Sequence, residues 1–302
     1  MEEGLFYLET FTADFFRQLK VDKIYFQGKT EYQLVQLFEN KIFGKILFLD
    51  GKIQSAQIDE FIFHESLVHP SLLTHAAPRK VLIVGGGEGA TLREALRHAS
   101  VKRAVMVDID KKLVELCQRH MPEWSDGAFS DSRTQLIFRD ARRYIERTKQ
   151  KFDVIISDLT EPVKGGPSVY LFTRDFFDKI FNALNEDGVF ALQAGGTDPF
   201  YNQFFASCAK TLEEIFPLVR PYWTFIFSFN NPWGFIIASK KTDPLEQDSK
   251  VISERMSSRG IKELKFYHPG FHHSLFSLPV YLIKALKKGR VLTDKKPFIW
   301  EA

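Results

Sequence analysis

The sequence predicts an α/β chain in which a mostly parallel, seven-stranded sheet follows a small N-terminal antiparallel β domain. Three observations carry this. Between residues 80 and 238 short apolar runs alternate with helical patterns, and such alternation implies βαβ units with both sheet faces covered. The run Val81-Leu-Ile-Val-Gly-Gly-Gly-Glu-Gly-Ala90 passes from an apolar strand into a glycine turn, the start of a unit that brings backbone close to a nucleotide-like ligand. Residues 21–59 hold short β-rich runs punctuated by Gly28, Asn40, Gly44 and Asp50-Gly51, and Asp-Gly between two such runs marks a hairpin.

The elements follow in order. Phe11, Phe15, Phe16 and Leu19 recur at helical spacing, so residues 1–20 are expected to form a short amphipathic helix. Runs at 23–28, 32–39, 45–50 and 52–55 form the small sheet, and residues 60–73 read as a helix. The domain boundary is expected between residues 59 and 60, with 1–59 as the β domain and 60–302 as the larger domain. Strands are expected at 80–84, 103–107, 135–138, 153–157, 188–194, 222–227 and 234–238, with helices at 91–98, 111–120, 141–149, 174–184 and 199–215. The link 228–233 is too short for a crossover helix, so the last two strands should be antiparallel. Later helices are expected at 245–258 and 274–288.

Composition narrows the function. The 302 residues are 44% hydrophobic and 26% charged, as in a globular protein. A net charge of +3 is too weak to argue for nucleic acid, and the 30 phenylalanines read as core and cleft packing. Cys117 and Cys208 are expected to be buried free thiols of a reducing compartment. His272-His273 has no partner motif, so no metal site is expected. Met1-Glu-Glu-Gly opens no basic-then-apolar leader and no apolar run spans a bilayer, so the cytoplasm is the expected compartment and no membrane partner is expected.

Candidate site residues gather at the strand ends. Glu88 puts an acid in the glycine turn that begins at Gly85. A carboxylate there would repel a phosphate, so the turn suits an adenosyl ligand with a positive tail; a tight turn without a ligand is the alternative. Asp108 ends the second strand of the larger domain, where it can accept hydrogen bonds from a ribose diol. Asp110 reads as the cap of the next helix. Asp140 follows the third strand. It is placed to cap a helix, to accept from an adenine amine beside the Ala141 amide, or both. Asp158 and Glu161 end the fourth strand and converge on the cleft, and Gly165-Gly166 suggests a lid. Gln54 and Glu65 flank the junction of the two domains and complete the set of candidates.

Together these residues resemble the polyamine aminopropyltransferases, the spermidine, spermine and thermospermine synthases. The carriers are Gly85-Gly-Gly-Glu-Gly-Ala-Thr-Leu-Arg-Glu94, Asp59-Glu-Phe-Ile-Phe-His-Glu65 and Asp158-Leu-Thr-Glu-Pro162. Pro162-Val-Lys-Gly-Gly-Pro, Gln193-Ala-Gly and Trp233-Gly-Phe-Ile-Ile-Ala-Ser are most similar to the thermospermine-synthase-like branch. The resemblance implies a methyltransferase-like Rossmann domain behind a β domain, assembled as a homodimer or homotetramer. It implies transfer of an aminopropyl group from decarboxylated S-adenosylmethionine to an amine, releasing 5′-methylthioadenosine without a metal or redox cofactor. The implied acceptor is spermidine, giving thermospermine, or agmatine. Putrescine is the alternative within the family; a methyltransferase or an inactive relative is the alternative outside it.

By the same resemblance Gln54, Gly85, Glu88, Asp108, Asp140 and Ala141 hold the donor. His64, Glu65, Asp158, Glu161 and Gln193 hold the acceptor, and Asp158 is the catalytic residue. Three positions depart from the family. Phe63 and Phe229 stand where tyrosines are common, and Glu161 stands where an aspartate is usual.

Overall fold

The computed structural model describes residues 4–12 and 14–300. The first elements are strands β1 (Leu5–Thr12) and β2 (Phe15–Val21), paired antiparallel from Leu5↔Val21 to Thr12↔Phe15. The helix expected over residues 1–20 is therefore corrected to a hairpin, with residues 1–3 and 13 outside the described set. Its helical spacing straddles the turn: Phe11 and Phe15 lie on different strands and stack at 4.9 Å. Within β1 burial alternates, with Tyr7 and Glu9 turned inward, which is the strand period.

Strands β3 (Lys23–Lys29), β4 (Leu34–Asn40), β5 (Gly44–Leu49) and β6 (Lys52–Ala56) form the expected antiparallel sheet in sequential order. Asp50 and Gly51 turn β5 into β6 with φ of 48° and 83°. Those values define the primed turn that matches strand twist.

Helix α1 (Glu60–Thr74) leads out of this sheet and is buried from Phe63 to Thr74. Then come β7 (Lys80–Gly85), α2 (Ala90–Leu96), β8 (Arg103–Asp108), α3 (Lys111–His120), α4 (Pro122–Ser125), β9 (Thr134–Phe138), α5 (Ala141–Arg147) and β10 (Phe152–Asp158). The rest is α6 (Arg174–Ala183), β11 (Leu184–Gly196), α7 (Asn202–Glu213), β12 (Leu218–Ile226), β13 (Asn231–Ser239), α8 (Ser249–Ser258), α9 (His272–Leu275) and α10 (Val280–Leu286). The helix expected at 274–288 is two helices, because Pro279 cannot continue the first.

The large sheet has seven strands in the order β12-β13-β11-β10-β7-β8-β9. Strands β9, β8, β7, β10 and β11 run parallel, and β13 is antiparallel to β11 and β12, as the short link required. The chain leaves β7 toward β8 and β9, then returns to β10 on the other side of β7. That reversal splays the loops after β7 and β10 and opens a crevice at their carboxyl ends. Val81, Leu82, Ile83 and Val84 of β7 are fully buried, which holds the strand that carries the glycine turn firmly in the core. Both cysteines are free and buried. No helix of the described residues is long and apolar enough to cross a membrane.

Candidate active site

The crevice is a cavity of about 100 Å³ lined by the glycine turn, the ends of β8 and β10, and Gln33, Gln54 and Trp233. Gly85 has φ of +83°, and a Cβ there would lie 2.1 Å from the Asp158 carbonyl oxygen. Only glycine lets the turn pass so close to β10. The Gly86 N–H then donates to that same carbonyl at 2.9 Å, which locks the two strand ends together.

Asp108 lines the crevice, and its Oδ1 accepts from the Asp110 N–H at 2.7 Å. Burial, with Asp110 and Glu88 close by, pushes its carboxyl up to about 7 although backbone N–H groups pull it back. Asp110 caps α3 by accepting from Leu113 N–H at 3.0 Å. Its other oxygen takes hydrogen bonds from Thr30 and Gln33, which brings the β domain to the crevice wall. Asp140 caps α5 through the Arg143 N–H at 2.8 Å and lines the crevice with Ala141. Of its two alternatives from sequence, the structure shows the cap, at a position on the crevice wall. Gln54 lines the crevice too.

Asp158 ends β10 and lines the crevice. Its Oδ2 accepts from the Thr91 hydroxyl at 2.6 Å. Burial foremost, then Glu88, raises its carboxyl to about 7, against the pull of His64 and Thr91. Glu161 also lines the crevice, and burial raises its carboxyl too. Phe63 and Phe229 line the crevice edge to face, their rings 6.0 Å apart, and make this part of the wall apolar.

Three expected acceptor residues sit differently. Glu65 does not reach the crevice: its carboxylate accepts from the N–H groups of Lys265, Phe266 and Tyr267, at 2.8–2.9 Å. It anchors the loop after α8, because three convergent amides outcompete a mobile ligand for one carboxylate. His64 is 1% exposed and lies behind Glu88 rather than on the wall. Gln193 lines the crevice but spends its amide internally, donating to the Leu159 carbonyl and accepting from Trp233 Nε1 and Gly195 N–H.

His64 faces acceptors on both sides. Nδ1 is 2.9 Å from the Glu60 carboxylate and Nε2 is 2.8 Å from that of Glu88. Both nitrogens must therefore carry protons. Burial works against the charge, but the two carboxylates raise the ring to about 10. The ligand atoms of His64, Glu88 and Asp158 all lie within 4.8 Å of one another, a spacing a metal ion could bridge. The Glu88 charge is partly met by His64.

Sequence reasoning missed Gln33, Thr91 and Trp233. Thr91 had a local signal, since it lies in the first turn of the helix that the glycine turn starts. Gln33 had none and is brought in by β-domain docking; Trp233 opens a run that carries the resemblance but had no signal for the crevice, which the antiparallel strand β13 brings it to.

Residues 60–249 match the family model of the spermine/spermidine synthase domain, and residues 5–57 match that of the spermidine synthase tetramerisation domain. The chain is 43% identical to polyamine aminopropyltransferase 2 of Hyperthermus butylicus over 280 residues, covering 92% of this chain and 91% of that one. It is 40% identical to the polyamine aminopropyltransferase of Sulfolobus acidocaldarius, covering 98% of each. A spermidine synthase crystallised with the transition-state analogue AdoDATO superposes with a TM-score of 0.87 at 33% identity, covering 95% of this chain and 96% of that one. The spermidine synthase of Thermotoga maritima superposes with a TM-score of 0.86, also at 33% identity, over the same shares. The chain belongs to the polyamine aminopropyltransferase family and is a transferase of that kind.

Proposed function

We propose that the enzyme moves the aminopropyl group of decarboxylated S-adenosylmethionine to spermidine, giving thermospermine, or to agmatine. The observation that carries this is the group of acids Glu88, Asp108, Asp158 and Glu161 around one crevice. A cationic donor tail and a cationic amine are drawn to such a group. Asp108 accepts from the ribose, Gln54 and Gly85 border the nucleoside, Asp140 and Ala141 take the adenine, and Glu88 faces the propylammonium.

The acceptor amine arrives protonated, with a pKa near that of lysine, about 10.4. After losing a proton, its nitrogen lone pair attacks the carbon beside the sulfonium. The C–N bond forms as the C–S bond breaks, and sulfur keeps the electron pair as a thioether. The proton that the acceptor amine gives up goes to Asp158 or a water, and the new secondary ammonium keeps its charge. The sulfonium is already an activated leaving group, so the step needs no metal or redox cofactor.

The length of the acceptor is supported by a second cavity. It measures about 400 Å³ and shares Ile53, Glu161, Phe229 and Trp233 with the crevice. Glu161 forms no ion pair among the described residues. Asn231 Oδ1 lines the same chamber region buried and unpartnered. Both suit a nitrogen lying beyond the reach of a short diamine. Trp300 closes the chamber, and its backbone N–H donates to Pro162 of the loop after β10 at 2.9 Å.

A homodimer or homotetramer is supported by the tetramerisation-domain match and by the hairpin it covers. There Leu5, Leu8, Phe15 and Phe16 are 49–57% exposed, a patch that invites a partner copy. Buried free thiols suit the cytoplasm.

The test offers decarboxylated and intact S-adenosylmethionine with putrescine, spermidine and agmatine, and identifies products by mass spectrometry. Methylated product contradicts the donor. Turnover of putrescine alone contradicts the acceptor, and binding without turnover contradicts the enzyme reading.

A further inference from the structure

A chain of charged side chains links the crevice to a separate cavity. That cavity holds about 250 Å³, is lined by Glu60, Arg93, Glu94 and Lys265 among others, and shares no lining residue with the crevice. From it, Arg93 Nη2 donates to both Glu60 oxygens at 3.1 and 2.9 Å. Glu60 accepts from His64 Nδ1, and His64 Nε2 donates to Glu88, which lines the crevice. The four side chains are only 1–14% exposed. A buried chain of this kind has each member oriented by the next.

We propose that Glu60 and Arg93, neither of which touches the crevice, are positioning residues: through the His64 imidazolium they fix the Glu88 carboxylate and supply the positive charge that offsets it beside Asp158. The proposal rests on the aminopropyl-transfer reading, because it concerns how that step is tuned. The charges facing Asp158 are Glu88 and Asp108, which disfavour its ionised form, and His64, which favours it; Thr91 adds a hydrogen bond. Remove the ring proton and Glu88, Asp108 and Asp158 face one another with no protein cation among the charges that act on Asp158. Glu60 keeps the proton on the ring. Arg93, held also by Glu94 at 2.7 Å, keeps Glu60 ionised and aimed at the ring. The logic is that of a carboxylate orienting a histidine that acts on a third group.

The test uses the full chain with Glu60→Gln, His64→Asn and the conservative Glu60→Asp. In Glu60→Gln, kcat should fall about tenfold. The acid limb of the kcat/KM profile should move up by roughly half a pH unit or more, since the carboxyl of Asp158 loses part of its cation. His64→Asn should move it further, and Glu60→Asp should return it toward the parent. A structural role alone would lower thermal stability and leave the limb in place. Independently of turnover, the nitrogen-15 NMR signal of the His64 ring should show both protons near pH 8 in the parent and lose one at lower pH in Glu60→Gln. An unmoved acid limb in folded Glu60→Gln and His64→Asn overturns the proposal, as does a neutral parent ring near pH 8. If the parent transfers nothing to any amine, the transfer reading fails instead, and the NMR result still decides the charge on His64.

Discussion

The Thr91 hydroxyl donates to Asp158 Oδ2 at 2.6 Å, so the first turn of α2 holds the carboxylate that ends β10. The hydrogen bond favours ionised Asp158 in a place where burial and Glu88 oppose it. Thr91→Val should therefore raise the acid limb of the kcat/KM profile and lower turnover at neutral pH by about tenfold. Asp158→Asn should cost about two orders of magnitude or more in kcat, while methylthioadenosine binding changes less. Equal loss of turnover and of nucleoside binding in either variant would contradict the assigned role.

In the proposed reaction Glu88 faces the donor tail, and His64 Nε2, 2.8 Å away, only partly offsets its charge. At an effective dielectric near 20, opposite unit charges 4 Å apart attract by about 4 kcal/mol before desolvation. The carboxylate of intact S-adenosylmethionine should be repelled by the same charge. Glu88→Gln should narrow the preference for the decarboxylated donor, measured as the ratio of the two dissociation constants. An unchanged ratio would refute this.

Binding of a polyamine should release protons. Asp158 and Asp108 have carboxyls raised to about 7. An adjacent ammonium favours their ionised forms and lowers both values, so affinity should rise from about pH 6 to about pH 8. Calorimetry near neutral pH in buffers of different ionisation enthalpy reads the proton count directly. Net uptake would mean the cation does not sit beside these acids.

Arg259 is 4% exposed and donates to the carbonyls of Leu72, His75 and Ala76 at 2.6–2.9 Å, at the carboxyl end of α1. It satisfies orphan carbonyls and meets the negative end of the helix dipole. Arg259→Met leaves those acceptors buried and unpaired, and should cost about 2–4 kcal/mol in urea unfolding. A loss within experimental error would show that water replaces the guanidinium.

Periodicity and turn chemistry made much of the architecture legible. Strands β7 to β13 and the hairpin at Asp50-Gly51 are local patterns whose apolar runs and glycines have one good reading. The N-terminal hairpin was illegible because four apolar residues at helical spacing fall on two strands of opposite direction. The crevice acids could be named because strand ends are found from local sequence, and the fold rule puts ligands there.

Sequence alone determined the sheet, its crevice and the acids Glu88, Asp108, Asp140, Asp158 and Glu161 that line it. Tertiary structure alone decided which neighbours those acids have. It turned Glu65 into a backbone anchor, drew His64 behind Glu88, and brought in Thr91, Gln33 and Trp233. The reason is physical. An element's type follows from its own residues, whereas a carboxylate's partners and its hold on a proton depend on what other segments bury beside it.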